Sequence, residues 1–377
     1  MTHTGIQLSR RGAMQTLALG AATLAIKDAV AAPAPAPAAS GHNPGTKWEF
    51  YAKPQDAGFA NDLTKLSETL YPLSTTAFMI VRGGKVAYSY GHLGLVSYLA
   101  SSRKSIMSML YGKYVANGTI KLDTTLGQLG IDDDQGLLPI EKTATIRHVL
   151  MASTGVYHPA GSPGGSENGP KRGSVKPGEK FLYNNWDFNV AGAIFQQLTG
   201  KSVHQAFADD LAGPLQMEDF DISRQRMMGY EPRRSKFLGY HFFLSGRDMA
   251  RLGLCMVNGG KWNGKEVVPA SWVKESTTMK VPASAITGDR SEGYAYLWWI
   301  PTESRKGPEW VGSYAAQGNY GQYIVCLPAL DMVVVHRRAV TDEFSIARNL
   351  GKTSASPAGG EVSMLPIVDQ IVASVRA

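Results

Sequence analysis

A serine and a lysine three positions apart, Ser101 and Lys104, are the residues whose types and spacing most clearly suggest chemistry in this sequence. Side chains at positions i and i+3 of a helix are neighbours on its surface, so a helix here would place a hydroxyl beside an amine. Tyr183, from a distant segment, could supply a third polar group. If the three groups meet, they form an acyl-transfer site that works through serine.

This chemistry depends on the protonation of the lysine. A serine hydroxyl is a poor nucleophile at neutral pH and needs an adjacent base. Lys104 can be that base only if burial and nearby cationic or hydrogen-bonding groups lower its pKa. In the first turn of a helix, Ser101 would also lie where unsatisfied amides and the helix dipole favour negative charge. That turn would supply half of an oxyanion hole.

Three segments must position these groups. Residues 76–90 predict a β-hairpin with a Gly-Gly turn. Apolar residues at helical spacing predict a helix over residues 101–117, with one face formed by Ile106, Met107, Leu110 and Tyr114. Tyr183 follows a Gly-, Pro- and Ser-rich loop at residues 159–178, which is long enough to be functional, and precedes a predicted helix at residues 187–198.

The remaining patterns predict strands near both ends of the chain and helices in the middle. Further helices are expected at residues 56–70, 145–151 and 245–257, the last with a capping box at Ser245 and Asp248. Strands are expected at residues 294–300, 310–317, 322–327 and 332–336, before a last helix at 366–375. The order indicates an α+β fold, in which an antiparallel sheet is flanked by helices and a mostly helical subdomain, roughly residues 100–270, is inserted.

The N-terminal segment, residues 1–31, is predicted to be a signal peptide. Arg10 and Arg11 precede a mostly apolar run at residues 14–26, and a small-x-small cleavage pattern ends the segment. The paired arginines favour twin-arginine export, with a Sec signal as the alternative. The apolar run is too short for a confident membrane span. We therefore expect a periplasmic or secreted bacterial protein.

The rest of the sequence predicts the domain organisation, and its composition and charge exclude some functions. Residues 32–47, rich in Ala and Pro, predict a linker. Residues 48–377 are predicted to form a single globular domain. Hydrophobic residues make up 44% and charged residues 18%, as in globular proteins. The net charge of +7, about +5 without the signal segment, and the lack of a basic stripe argue against nucleic-acid binding.

The two cysteines, Cys255 and Cys326, each lie in an apolar stretch and predict buried free thiols. Neither has a CxxC partner, so no zinc or redox site is expected. We expect no metal and no cofactor. The sequence leaves the oligomeric state open.

Three segments, in this order and at these separations, resemble the serine β-lactamase and penicillin-binding-protein superfamily. They are Ser101–Lys104, Tyr183–Asn185 and Tyr314–Gln322, supported by residues 145–155, 244–251 and 293–300. The most similar branch contains class C β-lactamases, family VIII esterases and 6-aminohexanoate-oligomer hydrolases. The resemblance covers roughly residues 50–375 and implies the β-lactamase/transpeptidase-like fold.

The resemblance also implies roles. Ser101 would be the acylated nucleophile, and Lys104 would hold or take its proton. Tyr183 would act as general base or proton relay, and Asn185 would bind the carbonyl or amide of the substrate.

The third segment implies the rest of the site and contains one departure from the family. Ala316, Gln317 and Gly318 stand where relatives have Lys-Thr-Gly or His-Thr-Gly, and the amides of Ser101 and Asn319 would form the oxyanion hole. With Ala316 at the first position, the cation that pairs with a substrate carboxylate in relatives is missing. This puts β-lactamase and peptidase activity in doubt and favours a neutral ester or an amide.

Other residues are weaker candidates. Trp186, His158 and His241 could line an acyl pocket or simply pack in the core, and Asp132–Asp134 predicts a solvated turn rather than a cation site. No G-x-S-x-G sequence is present, which disfavours an α/β-hydrolase triad.

The leading hypothesis is a serine hydrolase that cleaves a small-molecule ester or amide through an acyl-enzyme. A β-lactamase or DD-peptidase acting on a lactam or peptide is the first alternative. A non-catalytic protein that binds cell-wall fragments is the second.

Overall fold

The strands from the two ends of the chain meet in one sheet. The computed structural model describes residues 40–164, 169–286, 291–301, 305, 307–354 and 363–376. The strands of this part are β1 (Ala77–Arg82), β2 (Lys85–Gly91), β3 (Ser97–Tyr98), β4 (Arg226–Met228), β5 (Gly239–His241), β6 (Phe243–Leu244), β7 (Lys261–Trp262), β8 (Lys265–Glu266), β9 (Gly293–Tyr294), β10 (Trp299–Ile300), β11 (Tyr314–Gly318), β12 (Gln322–Leu327) and β13 (Met332–Arg337). The helices are α1 (Lys65–Leu70), α2 (Arg103–Ala116), α3 (Ile146–Leu150), α4 (Asn185–Thr199), α5 (Val203–Phe207), α6 (Gly246–Val257), α7 (Ala270–Thr277), α8 (Asp342–Asn349) and α9 (Leu365–Ala373).

The main sheet is antiparallel, in the order β2-β1-β13-β12-β11-β10-β9. Strand β1 pairs with β13 from Ala77 opposite Arg337 to Arg82 opposite Met332. Most helices lie in the chain between β2 and β9, so the helical region is inserted between the two halves of the sheet. The α+β fold expected from the sequence is confirmed.

Helix α6 packs on the sheet against β1, β12 and β13. A Cβ at Gly253 would lie 2.5 Å from Val333 Cγ1 and 2.8 Å from Ile324 Cγ2, so glycine permits this close approach. Ser245 caps the helix, since its hydroxyl accepts from the Asp248 amide at 3.1 Å. The predicted capping box is wrong in its second half, because the Asp248 carboxylate instead accepts from the amides of residues 218 and 219.

Helix α2 lies between β11 and the helices α4, α5 and α7. The predicted face of apolar residues is buried, but so are polar residues of the same helix, including Arg103, Lys104 and Ser108. The expectation that a single apolar face of this helix is buried is therefore incomplete, since neighbours cover α2 on nearly every side.

Some element boundaries differ from the predicted ones. The helix expected at 56–70 is split into a short 3-10 segment at Pro54–Ala57 and α1, because Gly58 adopts a left-handed conformation (φ +82°). The strand expected at 294–300 is the pair β9 and β10, since Leu297 has a positive φ of 65° and its amide bonds to Leu150 O.

Two further boundaries are shifted. The strand expected at 310–317 begins only at Tyr314, after a 3-10 turn at Pro308–Trp310. Helix α4 begins two residues before the predicted 187–198, at Asn185, because Asn184 caps it through its side chain.

The predicted signal segment, residues 1–31, and the first part of the linker lie outside the described residues. Both cysteines are buried and free, as expected. Within the described part of the chain, no helix combines the length and the apolarity needed to cross a membrane.

Candidate active site

The three polar groups selected from the sequence lie together. Lys104 Nζ is 2.7 Å from Ser101 Oγ and 2.8 Å from Tyr183 Oη. Lys104 belongs to the first turn of α2, and Ser101 lies in the 3-10 turn that leads into it. Tyr183 comes from the segment just before α4. One amine therefore bridges the candidate nucleophile and the phenol.

The environment of Lys104 favours its neutral form. The residue is 2% exposed, and burial is the main cause that holds its pKa well below the ordinary value, with the neighbouring charge of Arg103 as a second cause. Its Nζ also lies 4.6 Å from the ring centres of Tyr183 and Phe188. A neutral amine in hydrogen-bond contact with a serine hydroxyl can accept the serine proton.

Aromatic packing fixes the position of Tyr183. Its ring is stacked on Trp299 of β10, with 5.5 Å between centroids and 27° between planes. It also packs against Phe188 of α4 at 4.7 Å. Contacts of this kind hold the ring while the hydroxyl stays directed at Lys104.

The backbone around the candidate nucleophile, Ser101, is tightly held. Ala100, just before Ser101, has a positive φ of 49°, an uncommon conformation for alanine. Ser102 Oγ donates to Gln322 O of β12 at 2.8 Å. Ser105 Oγ donates to Leu297 O at 2.7 Å. These bonds anchor the start of α2 to the sheet and to the β9–β10 turn.

The third motif lies directly against this turn. A Cβ at Gly318 would lie 2.4 Å from Leu99 O and 2.9 Å from Ser102 Oγ, so only glycine fits here without displacement. The close approach brings the next residue, Asn319, to the cavity that Ser101 lines. The motif segment thus lies next to Ser101.

The first two positions of this motif offer no cation. Ala316 is fully buried. Gln317 Nε2 donates to Glu292 Oε1 at 2.5 Å, and Glu292 is 7% exposed. A carboxyl group, and not a cation, therefore lies beside the second position of this motif.

Asn185 is the first residue of α4 and lines the cavity beside Ser101. Its Nδ2 donates to Pro163 O, while its buried Oδ1 has no partner among the described residues. The side chain is thus oriented by the loop and leaves an acceptor for a substrate N–H group.

His241 also lines this cavity, whereas the sequence left its role open. Asn349 Nδ2 donates to Tyr98 Oη at 3.2 Å, which leaves the Tyr98 hydroxyl hydrogen for His241 Nδ1 at 3.1 Å. Burial and the charge of Arg103 hold the pKa of His241 well below its ordinary value. The imidazole is therefore a neutral part of the cavity wall.

His158 and Trp186 lie elsewhere, in a buried network around Asp133. Trp186 Nε1 donates to Asp133 Oδ2 at 2.9 Å, and His158 Nδ1 lies 3.4 Å from the same oxygen. Ser235 Oγ donates to it at 2.5 Å. Asp133 is 3% exposed, so the solvated turn expected at 132–134 is wrong for its central residue.

Several cavity residues were not singled out from the sequence. Tyr98, Asn349 and Arg348 line the cavity together with Arg103. Of these residues, only Arg103 could have been selected from the sequence, because it stands between Ser101 and Lys104. The others come from β3 and α8, and no local pattern links them to Ser101.

The chain is similar to known proteins both in sequence and in fold. A search of curated proteins matches an uncharacterized protein of Alkalihalophilus pseudofirmus, 23% identical over 257 residues, 63% of this chain and 72% of the relative. Similar solved structures include a protein assigned as a 6-aminohexanoate-dimer hydrolase from Bacillus anthracis, with a TM-score of 0.57 and 18% identity over 82% of this chain and 88% of the other.

Two further structures share the fold. One is a protein assigned as a β-lactamase from Bacteroides dorei, with a TM-score of 0.62 and 16% identity over 83% of this chain and 98% of the other. The second is EstCE1, a hydrolase with promiscuous acyltransferase activity, with a TM-score of 0.53 and 16% identity over 79% and 95%. At these identities the likeness concerns the fold. The β-lactamase family model matches residues 71–336, more than half of the sequence, and the chain therefore belongs to the β-lactamase family of hydrolases.

Proposed function

We propose that this protein is a serine hydrolase that cleaves an ester or amide of a small molecule through an acyl-enzyme on Ser101. The observation that carries the proposal is the position of Lys104 Nζ, buried and in contact with both Ser101 Oγ and Tyr183 Oη. Membership of a hydrolase family and similarity in fold to a hydrolase with promiscuous acyltransferase activity support it.

In the proposed acylation, Ser101 Oγ attacks the carbonyl carbon while its proton moves to the neutral Lys104 Nζ. The bond from the carbonyl carbon to the leaving oxygen or nitrogen then breaks. The leaving atom takes a proton from Tyr183 Oη, which Lys104 restores. The backbone amides of Ser101 and Asn319 are the proposed oxyanion donors.

Deacylation would use the same groups in reverse. A water molecule loses one proton to Lys104 by way of the Tyr183 hydroxyl, and its oxygen adds to the acyl carbon. Ser101 Oγ leaves and takes that proton back from Lys104, and the acid product is released. Each half of the cycle therefore ends with Lys104 neutral and Tyr183 protonated.

The third motif favours esters and amides over the usual substrates of the family. Ala316 provides no cation, and Gln317 is bonded to a buried carboxylate, Glu292. A substrate carboxylate placed at this end of β11 would meet an acidic side chain rather than a cation. We therefore do not expect hydrolysis of β-lactams or of peptide carboxyl ends, although the following test can reveal it.

The test is turnover of a 4-nitrophenyl ester series, with nitrocefin measured in parallel and Ser101→Ala as the control. We expect ester hydrolysis that Ser101→Ala abolishes, and little or no nitrocefin turnover. If no acyl donor reacts with wild type while the Ser101→Ala variant keeps affinity for cell-wall fragments, the protein is a binding protein and the proposal fails.

We also propose that the chain is exported through the twin-arginine pathway. The paired arginines Arg10 and Arg11 ahead of an apolar run support this. In a bacterial host, the wild-type protein should be found in the periplasm with residues 1–31 removed. Substituting both arginines by lysine should trap the precursor in the cytoplasm, and unchanged export would contradict the proposal.

A further inference from the structure

We propose that the substrate of this site carries a carboxylate and that Arg103 binds it. The inference deepens the proposed hydrolase function and rests on it, because it concerns the ligand of the same cavity. Arg103 stands between Ser101 and Lys104 in the sequence. It is one of the residues that line the cavity beside Ser101.

The guanidinium of Arg103 is buried, and no acidic side chain of the described residues pairs with it. The residue is 2% exposed. Its Nη2 donates to the neutral amide oxygen Asn189 Oδ1 at 3.3 Å, and its Cζ lies 4.7 Å from the ring centre of Tyr240. Its Nη1 has no hydrogen-bond partner among the described residues. One donor nitrogen of a permanently charged group is thus left without a hydrogen-bond acceptor.

Such an arrangement is costly unless an anion completes it. A buried charge is normally paired, and a buried donor without an acceptor loses the hydrogen bonds that water would provide. The long bond to Asn189 and the contact with the face of Tyr240 offset only part of that cost. A carboxylate offers what is missing, because its two oxygens match the planar donors of a guanidinium.

The cavity wall has the charge that an anionic ligand requires. Among the described residues, none of the lining side chains carries a carboxylate, and Arg348 contributes a second guanidinium. His241 is neutral, since burial and the charge of Arg103 hold its pKa well below the ordinary value. Nothing in the described wall therefore neutralises Arg103.

Arg103 also changes the expectation of a neutral substrate, which was based on Ala316. The Arg103 side chain contacts α4 and β5, through Asn189 and Tyr240, rather than β11. Glu292 bonds to the β11 residue Gln317, so that strand offers an acidic side chain to a substrate carboxylate, whereas Arg103 offers a cation. The cation lost from the third motif is thus supplied by the first motif, at another place in the cleft.

The test compares esters that differ in one negative charge. On the acyl side, mono-4-nitrophenyl esters of glutarate to suberate are each matched with the corresponding methyl ester. On the leaving-group side, 4-acetoxybenzoate is matched with methyl 4-acetoxybenzoate. The readout is the ratio of kcat/KM between the charged and neutral members of each pair, for wild type, Arg103→Gln and Arg103→Lys.

We expect wild type to prefer the charged member in at least one series. Arg103→Gln should lower that ratio by about 30-fold or more, mainly through KM, because an ion pair in a buried site is lost. Arg103→Lys keeps the charge and should recover part of the ratio. The matched control Arg226→Gln removes an exposed charge on β4 and should leave the ratio unchanged.

The ratio of kcat/KM between charged and neutral esters distinguishes a role of Arg103 in ligand binding from an effect of Arg103 on catalysis. If Arg103 only lowers the pKa of Lys104, its removal slows both members of a pair equally, the ratio stays constant and the proposal is overturned. A wild-type preference for the neutral member in every series also overturns it, and this result does not depend on whether Arg103→Gln folds.

Binding to the Ser101→Ala variant distinguishes this inference from the hydrolase proposal. Calorimetry with adipate and with dimethyl adipate measures anion preference without turnover. Preference for adipate in Ser101→Ala that disappears in Ser101→Ala/Arg103→Gln supports the site even if wild type hydrolyses nothing. Ester hydrolysis by wild type with no such preference in binding or in kcat/KM supports the hydrolase proposal and rejects the carboxylate.

Discussion

At the scale of single residues, the amine of Lys104 determines whether Ser101 can react. Replacing it in Lys104→Met keeps the length of the side chain and removes the base. We expect kcat/KM for an ester to fall by about 10²- to 10⁴-fold, the usual contribution of a positioned acid or base. The exposed control Lys121→Met should retain activity. Activity near the wild-type level in Lys104→Met would reject the role of this amine.

The same residue predicts the pH dependence of the wild-type enzyme. The base must be neutral, so kcat/KM should rise with pH as Lys104 in the free enzyme loses its proton. Burial and Arg103 hold the pKa of Lys104 well below its ordinary value, and the rise should therefore be complete well below pH 10. A kcat/KM profile that is still rising at the ordinary lysine pKa would contradict a neutral Lys104.

Tyr183 allows its hydroxyl to be tested separately from its ring. Tyr183→Phe removes Oη and keeps the stacking on Trp299 and the contact with Phe188. We expect kcat/KM to fall by about 10²- to 10⁴-fold with little change in the thermal midpoint, measured beside the exposed control Tyr71→Phe. Equal losses of stability and activity would indicate a packing role only.

At the scale of elements, the site depends on how closely β11 approaches the start of α2. In Gly318→Ala the new methyl would lie 2.4 Å from Leu99 O. The strand must then move away from Ser101 and carry Asn319 with it. We expect a loss of about 1–3 kcal/mol in the free energy of unfolding, as for other overpacked sites, together with a fall in kcat.

Gly45→Ala is the matched control for this substitution, since nothing lies within 4 Å of its Cβ position. It should leave both the unfolding free energy and kcat close to wild type. If Gly318→Ala behaves in the same way, contact between β11 and the nucleophile turn is not required.

The sequence predicted those elements whose ends carry local signals. Ser245 caps α6, and Asn117 follows α2 directly, so the ends of both helices were predicted to within two residues. The first two residues of the predicted helix at 101–117 form a 3-10 turn instead. The turn at Leu297 was missed, because its positive φ accompanies a bond to Leu150, which is distant in the sequence. Tertiary contacts of this kind leave no local pattern.

The contact between Ser101 and Lys104 was predictable for a similar reason, and the cavity wall was not. Ser101 and Lys104 are joined by helical spacing, whereas Tyr98 and Asn349 meet only because α8 lies next to β3. The burial of Arg103 could not be inferred either, since amphipathic reasoning assigns the polar side of a helix to solvent and α2 is covered on that side too.

At the scale of the whole molecule, a buried carboxyl should make stability depend on pH. Asp187 is fully buried in α4, and its Oδ1 accepts from Thr154 Oγ1 at 2.6 Å. Burial raises the pKa of Asp187 to about 8, compared with about 3.9 in an unfolded chain. Between these values the native state binds one proton more than the unfolded state, so this group lowers stability as pH rises.

Asp187→Asn cannot ionise and should remove this dependence. The free energy of unfolding of the variant, relative to wild type, should increase from pH 4 to pH 8 and change little above that. Urea denaturation at each pH measures it, with the exposed carboxyl variant Asp56→Asn as the control. A constant difference between variant and wild type across this range would mean that Asp187 is ionised in the native state.

The central claim is that Ser101 becomes acylated, and mass spectrometry of the quenched reaction tests it most directly. Wild type is mixed with a reactive 4-nitrophenyl ester, quenched with acid within seconds, weighed intact and mapped by peptides. The account predicts one acyl group, located on Ser101 rather than on Ser102, and none in Ser101→Ala. Ester turnover with no adduct on Ser101, or an adduct on another residue that persists in Ser101→Ala, would contradict it.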